Sequence, residues 1–262
     1  VAVKMTLQGL LIYGAMAAYV LALVLTILRR RRQGLIVFAF GFVAALGAFV
    51  YRWMDVAHWP MQNLFEVFVT LGMLCYPVSM LSLRYLKIGG HVADMAIGFI
   101  LLFPAGFVFH SEPEYLPPAL QSPLFAPHVA VYMIGYVLMA KAAFCAFVQL
   151  SNQPPDKDQL SPEQATYTMI GLGFPFLTLG LLLGSIWGKL AWGDYWGWDP
   201  KELWSLASWL VYVGYFHFRY MFGKKYPRLN SAWAITGMVF IIITLLWVNL
   251  SKLFPGLHNY AS

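Results

Sequence analysis

Apolar stretches of about 20 residues recur along the chain, and each is long enough to cross a hydrocarbon core of about 30 Å as a helix. Eight can be read, at residues 7–28, 34–51, 64–83, 92–109, 128–149, 167–187, 203–221 and 232–253. With connections this short, no separate soluble domain is left over. Composition agrees: 60% of residues are hydrophobic and 11% charged, with a mean hydropathy of +0.67, whereas a soluble domain carries roughly 25% charged residues. The expected fold is an all-α polytopic membrane protein with about eight transmembrane helices, residues 1–262 forming a single integral membrane domain.

The net charge of +6 is distributed as a topology signal. Arg29 to Arg32 follow the first span, Arg84 and Lys87 the third, Lys157 lies in the fifth connection, and Arg219, Lys224, Lys225 and Arg228 cluster at the end of the seventh. The alternate connections hold only Arg52, Lys189 and Lys201. The positive-inside rule therefore puts the basic set in the cytoplasm and both termini outside, and no nucleic-acid partner is expected. The opening VAVKMTLQGLLIYGAMAAYV has no small-residue cleavage site after its apolar core and does not read as a cleavable signal; the first methionine is Met5. Cys75 and Cys145 lie inside spans, so neither a disulfide framework nor a CxxC centre is expected, and CxxCH is absent.

This topology gathers the unusual polar and aromatic residues on the outer side. RWMDVAHWPMQN runs from Arg52 to Asn63, the proline-rich HSEPEYLPPALQSPLFAPH from His110 to His128, and a tail begins at Phe254. Between them WGDYWGWDPKELW, residues 192–204, holds Trp192, Trp196, Trp198 and Trp204 among Gly193 and Gly197. An interfacial aromatic belt is the plain reading of such residues. Flat indole faces on a glycine-turned backbone equally suit a shallow platform for a large planar ligand or a membrane-surface partner. Asp199, Pro200 and Glu202 form a helix start, with Asp199 as N-cap and Glu202 at the third position.

Histidine narrows the chemistry. His128 and His258 both fall near the outer face although 130 residues separate them. Two neutral imidazoles can bind a haem iron axially, and they can also act as ordinary hydrogen-bonding groups. His58, beside Trp59, is a third outer candidate, and His110 belongs to the proline-rich loop. His217 lies roughly 21 Å along a helix from Leu203, near the cytoplasmic end, too far to share an outer iron. His91 borders the fourth span on that same side. For these two, a functional role and an interhelical hydrogen bond are both open. Other chemistries lack their signatures: HExxH, a GxSxG elbow and a P-loop are absent, and two separated cysteines make no thiolate metal site. GLGFP and GLLLG in the sixth span read as glycine-mediated helix packing or bending.

The segment WGDYWGWDPKELWSLASWLVYVGYFHFR, Trp192 to Arg219, resembles the tryptophan-rich WWD signature and following helix of the CcsA/ResC family of System II cytochrome c biogenesis proteins. VAHWPMQNLFE, PLFAPHVAVYMIGY around His128 and NLSKLFPGLHNY around His258 are similar to the same family. The resemblance implies that the WWD region presents haem b on the extracytoplasmic face, with His128 and His258 as its axial ligands and the four tryptophans around it. It further implies that His217 belongs to a separate haem site within the membrane, nearer the cytoplasm. The implied activity is that of a haem-handling subunit of a cytochrome c synthase, attaching haem to apocytochrome CxxCH motifs, with a CcsB/ResB-like membrane protein as partner and no catalytic side chain of its own. The implied location is a bacterial cytoplasmic or thylakoid membrane. Roles for His58 and His91 are not carried over. Two other readings of the residues are a bis-histidine membrane cytochrome for electron transfer and a non-enzymatic membrane scaffold.

Overall fold

The computed structural model describes residues 4–152, 158–223 and 225–250. Contacts divide the chain into two compact units: residues 1–86 with 90–117, and 87–89 with 118–262.

The first unit consists of α1 (Leu7–Ile27), α2 (Arg31–Val56), α3 (Leu64–Tyr85) and α4 (His91–Phe107). α1 packs on α2 and α4, and α3 packs on the same two, so the helices form a ring. Tyr19 sits at its centre, fully buried, and donates its hydroxyl to the Gly72 carbonyl at 3.1 Å. Its ring approaches Gly41 of α2 and Gly98 of α4 so closely that a Cβ at either would come within 2.6 Å. Small residues facing an aromatic let helix backbones come together where lipid offers no hydrophobic drive. Helix starts follow local chemistry: Thr6 caps α1 by accepting from Gly9 N–H, and Asn63 caps α3 by accepting from Glu66 N–H. Arg29 to Arg32, at the α1–α2 turn, are all exposed.

In the second unit, a short 3-10 turn (Pro118–Leu120) precedes α5 (Phe125–Leu150), α6 (Pro162–Trp192), α7 (Pro200–Phe222) and α8 (Pro227–Ile242). A π turn over Ile243–Trp247 carries α8 on to Leu250. The neighbour pattern repeats that of the first unit, with α5 on α6 and α8, and α7 on the same two.

The all-α, polytopic expectation is met. Among the described residues, six helices are long and apolar enough to cross a membrane: α1, α2, α3, α5, α6 and the run Pro227–Leu250. The other two expected spans form helices without meeting that standard. α4 has 17 residues, about 26 Å of helix. α7 has 23 residues but carries Lys201, Glu202, His217 and Arg219 among tryptophans and tyrosines, which dilute its hydropathy. Most helices also outrun the apolar stretches that announce them: α6 starts five residues before residue 167 and ends five after residue 187.

Candidate functional site

His128 lies in the first turn of α5, half-buried against α6. Its Nδ1 is 3.0 Å from the carbonyl oxygen of Gly180. A carbonyl oxygen only accepts, so Nδ1 carries the proton and the lone pair of the neutral ring resides on Nε2. Gly184, one turn further along α6, lies directly under the ring: a Cβ there would be 2.6 Å from Cε1. Tyr132 meets the imidazole edge-on at 5.2 Å between centroids, and Trp187 lies beside it at 5.5 Å. Trp187 is almost fully buried, donates Nε1–H to the Ala119 carbonyl at 2.9 Å, and packs at 5.0 Å on Trp192. His128 is thereby joined through Trp187 to the first residue of the tryptophan-rich segment.

That segment is only partly loop. Trp192 ends α6, Pro200 begins α7, and the residues between them, 193–199, form the turn. Gly193 closes α6 with φ of +92°, a left-handed conformation that glycine adopts without strain. Lys189 donates Nζ–H to the Gly193 carbonyl. At the far end Asp199 and Glu202 form a capping box, with Glu202 Oε2 accepting from Asp199 N–H at 3.1 Å and from Gly197 N–H at 2.9 Å. Trp198 takes φ of +57° and is 69% exposed, packed edge-on against Trp196 at 6.1 Å. Trp204 lies within α7 and packs on Phe240 of α8 at 5.4 Å. Of the four expected platform residues, Trp192 is connected to His128 through Trp187, Trp196 and Trp198 form a pair in the turn, and Trp204 joins α7 to α8.

His217 is exposed on α7, about 26 Å along a regular helix from Pro200. Its Nδ1 is 2.9 Å from the Val213 carbonyl, which again leaves the lone pair on Nε2. Tyr220 and Met221, on the next turn, are 93% and 67% exposed. His258 lies outside the described residues. His58, in the first unit, points Nδ1 at the Trp59 carbonyl and Nε2 at that of Glu114, 3.0 and 3.4 Å away. His91 is buried at the start of α4. Among the described residues, no three His, Cys, Asp or Glu side chains cluster as a metal site. A haem iron needs only one axial imidazole per face, and the donor tautomers of His128 and His217 suit that role.

Sequence reading missed Trp187, Gly180, Gly184 and Tyr132 as neighbours of His128. The available signal was spacing: Gly180, Gly184 and Trp187 stand at i, i+4 and i+7, one face of α6.

Fold and site define an all-α polytopic membrane protein in which a histidine at the start of α5 is linked through Trp187 to Trp192, where a tryptophan-rich segment begins. The sequence matches the family described as Cytochrome C assembly protein over residues 10–255. It is 31% identical over 233 residues to the cytochrome c biogenesis protein CcsA of Chlamydomonas reinhardtii, covering 80% of this chain and 63% of that one. It is 30% identical over 279 residues to CcsA of Synechococcus elongatus, covering 83% and 82%. The solved structure of Cytochrome c Heme Lyase CcmF superposes with a TM-score of 0.72 at 19% identity, over 99% of this chain and 48% of that protein, and so shares the fold. The chain belongs to the CcsA/ResC family of System II cytochrome c biogenesis proteins.

Proposed function

We propose that this chain is the haem-handling subunit of a cytochrome c synthase, presenting haem b on the extracytoplasmic face for attachment to apocytochrome CxxCH motifs. The carrying observation is the His128 Nδ1–H bond to the Gly180 carbonyl, which orients an iron-competent Nε2 beside the Trp187–Trp192 pair. In this reading residues 1–262 act as one membrane domain, with α4 and α7 crossing alongside the six apolar helices. The turn between α6 and α7 and both termini lie outside a bacterial cytoplasmic or thylakoid membrane.

His128 and His258 are the outer axial ligands, and Trp192, Trp196, Trp198 and Trp204 supply the aromatic platform. Haem brings two vinyl groups to which the target's cysteine thiols add, forming two thioether bonds. This chain contributes binding, orientation and control of the axial positions, and needs no nucleophile of its own. His217, exposed about 26 Å along α7 from the turn, holds haem at an inner site whose second ligand comes from a CcsB/ResB-like partner.

The test is to purify His128→Ala and His258→Ala proteins with their partner and measure haem per complex, the absorption spectrum and covalent haem on a reporter cytochrome. Each variant is expected to lose outer-site haem and regain part of it with added imidazole. Wild-type occupancy and spectra in both would overturn the ligand pair.

A further inference from the structure

We infer that the GLLLG stretch of α6 positions the iron ligand: Gly180 sets the tautomer of His128 and Gly184 sets the place of its ring. This rests on the reading of His128 as a haem ligand.

The two glycines do different work. Gly180 offers its carbonyl to Nδ1–H at 3.0 Å. Such a bond to the non-ligating nitrogen fixes ring orientation and raises the basicity of the ligating one, so it favours ferric iron and lowers the reduction potential. Gly184 acts by lacking a side chain. A Cβ there would stand 2.6 Å from Cε1 and 3.0 Å from Nδ1, so any larger residue displaces the ring from α6 and stretches the Gly180 bond. Trp187 bounds the same imidazole, itself anchored by its bond to Ala119. A general helix-packing role for GLLLG predicts something else: Gly184→Ala would then lower stability whether or not the imidazole is present, and would leave the haem spectrum unchanged. Gly180 is the less clean probe, since a Cβ there would also meet the Tyr132 ring at 2.7 Å.

The experiment uses the complex with its partner and four variants: Gly184→Ala, His128→Ala, their double, and Gly171→Ala, where an added Cβ meets nothing within 4 Å. Haem affinity, the visible spectrum and the midpoint potential are measured with added hemin, and thermal unfolding is measured on haem-free protein. Gly184→Ala is expected to weaken haem binding about 10- to 100-fold, shift the spectrum and potential, and respond to imidazole as His128→Ala does. Gly171→Ala should behave as wild type. Once the imidazole is gone, Gly184→Ala should add nothing, so the two changes are strongly non-additive both in haem affinity and in unfolding temperature. If Gly184→Ala alone fails to accumulate, the double variant should recover, because its methyl then has room.

A wild-type spectrum and potential in Gly184→Ala, additive effects in the double, or no recovery of its accumulation overturns the inference. His128→Ala losing haem while Gly184→Ala keeps it sinks the positioning role alone. His128→Ala keeping haem sinks the ligand reading and this inference with it.

Discussion

Arg219 and Glu163 form a two-point ion pair, Nε to Oε1 at 2.7 Å and Nη2 to Oε2 at 3.2 Å, tying the end of α7 to the first turn of α6. The guanidinium also lies 3.8 Å from the centroid of the Tyr167 ring. Both partners are about a quarter exposed, at 27% and 26%, so water screens the pair only partly. Exposed pairs contribute under about 1 kcal/mol, and the forked geometry with an aromatic floor puts this one at the upper end. Glu163→Gln should therefore destabilise the protein by about 1 kcal/mol, and Arg219→Lys, which loses the fork, by nearly as much. Arg219 lies two residues beyond His217, so if His217 holds haem at an inner site, both variants should also loosen that haem. Thermal unfolding in detergent with haem counting checks this, and unchanged values in both variants would show that the clamp supports neither stability nor haem.

A second ion pair is more deeply buried. Arg52 is 1% exposed and Glu66 2%, with Nε 2.9 Å from Oε1. The remaining guanidinium donors reach the carbonyls of Ser111 and Glu112 at 2.7 and 3.0 Å, and Glu66 Oε2 accepts from Gln62 N–H at 2.8 Å. One arginine thus fastens α2, α3 and the segment after α4. Glu66→Ala removes the buried counter-charge of Arg52, leaving it the partly exposed Asp55 carboxylate 3.7 Å from Nη1, and should cost up to roughly 3–5 kcal/mol. Chemical unfolding of the two proteins in the same detergent decides it, and a loss under about 1 kcal/mol would mean that Asp55 or water meets the charge.

Apolar runs announce α1 to α8, and six of these also meet the length and hydropathy that a lipid core demands. Their ends are harder to read. A helix needs backbone hydrogen bonds and not apolar side chains to continue, so α6 reaches Trp192 although its apolar run ends at residue 187. Asp199, Pro200 and Glu202 were legible as a cap because capping chemistry is local. The bond from Gly197 N–H to the same Glu202 carboxylate was not, since it depends on the path of the turn. The setting of His128 was illegible for a different reason: which face of α6 it meets is fixed by the rotation and register of two helices, and no local rule supplies those.

Lys4 makes the stability of the first unit depend on alkaline pH. Its ammonium donates to the carbonyls of Ala105 and Phe109 and lies 4.2 Å from the centroid of the Phe65 ring. Burial, helped by the nearby Arg52 charge, lowers its pKa to about 8 from 10.5. Between those values the unfolded chain binds the extra proton, so the Lys4 contribution to stability rises with pH across that window and levels off above it. Below about pH 8 both states are charged and the contribution is flat. Comparing unfolding of wild type and Lys4→Met from pH 7 to 11 isolates this slope from other lysines. A parallel pair of curves would show that Lys4 titrates alike in both states.

In the turn between α6 and α7, capping residues and an exposed tryptophan stand side by side, and mutation can separate their contributions. Asp199 is 6% exposed and caps α7, so Asp199→Ala should cost about 1–2 kcal/mol. Glu202→Ala removes the acceptor of both Gly197 and Asp199 N–H, freeing the backbone on either side of Trp198. Trp198→Gly does the reverse: a left-handed φ of +57° suits glycine, so the turn keeps its path while the exposed indole is lost. If Trp198 acts as a platform for haem, Trp198→Gly unfolds no earlier than wild type yet holds less haem per complex. Glu202→Ala should then lose haem and stability together. Full haem occupancy in Trp198→Gly would reduce Trp198 to an interfacial aromatic.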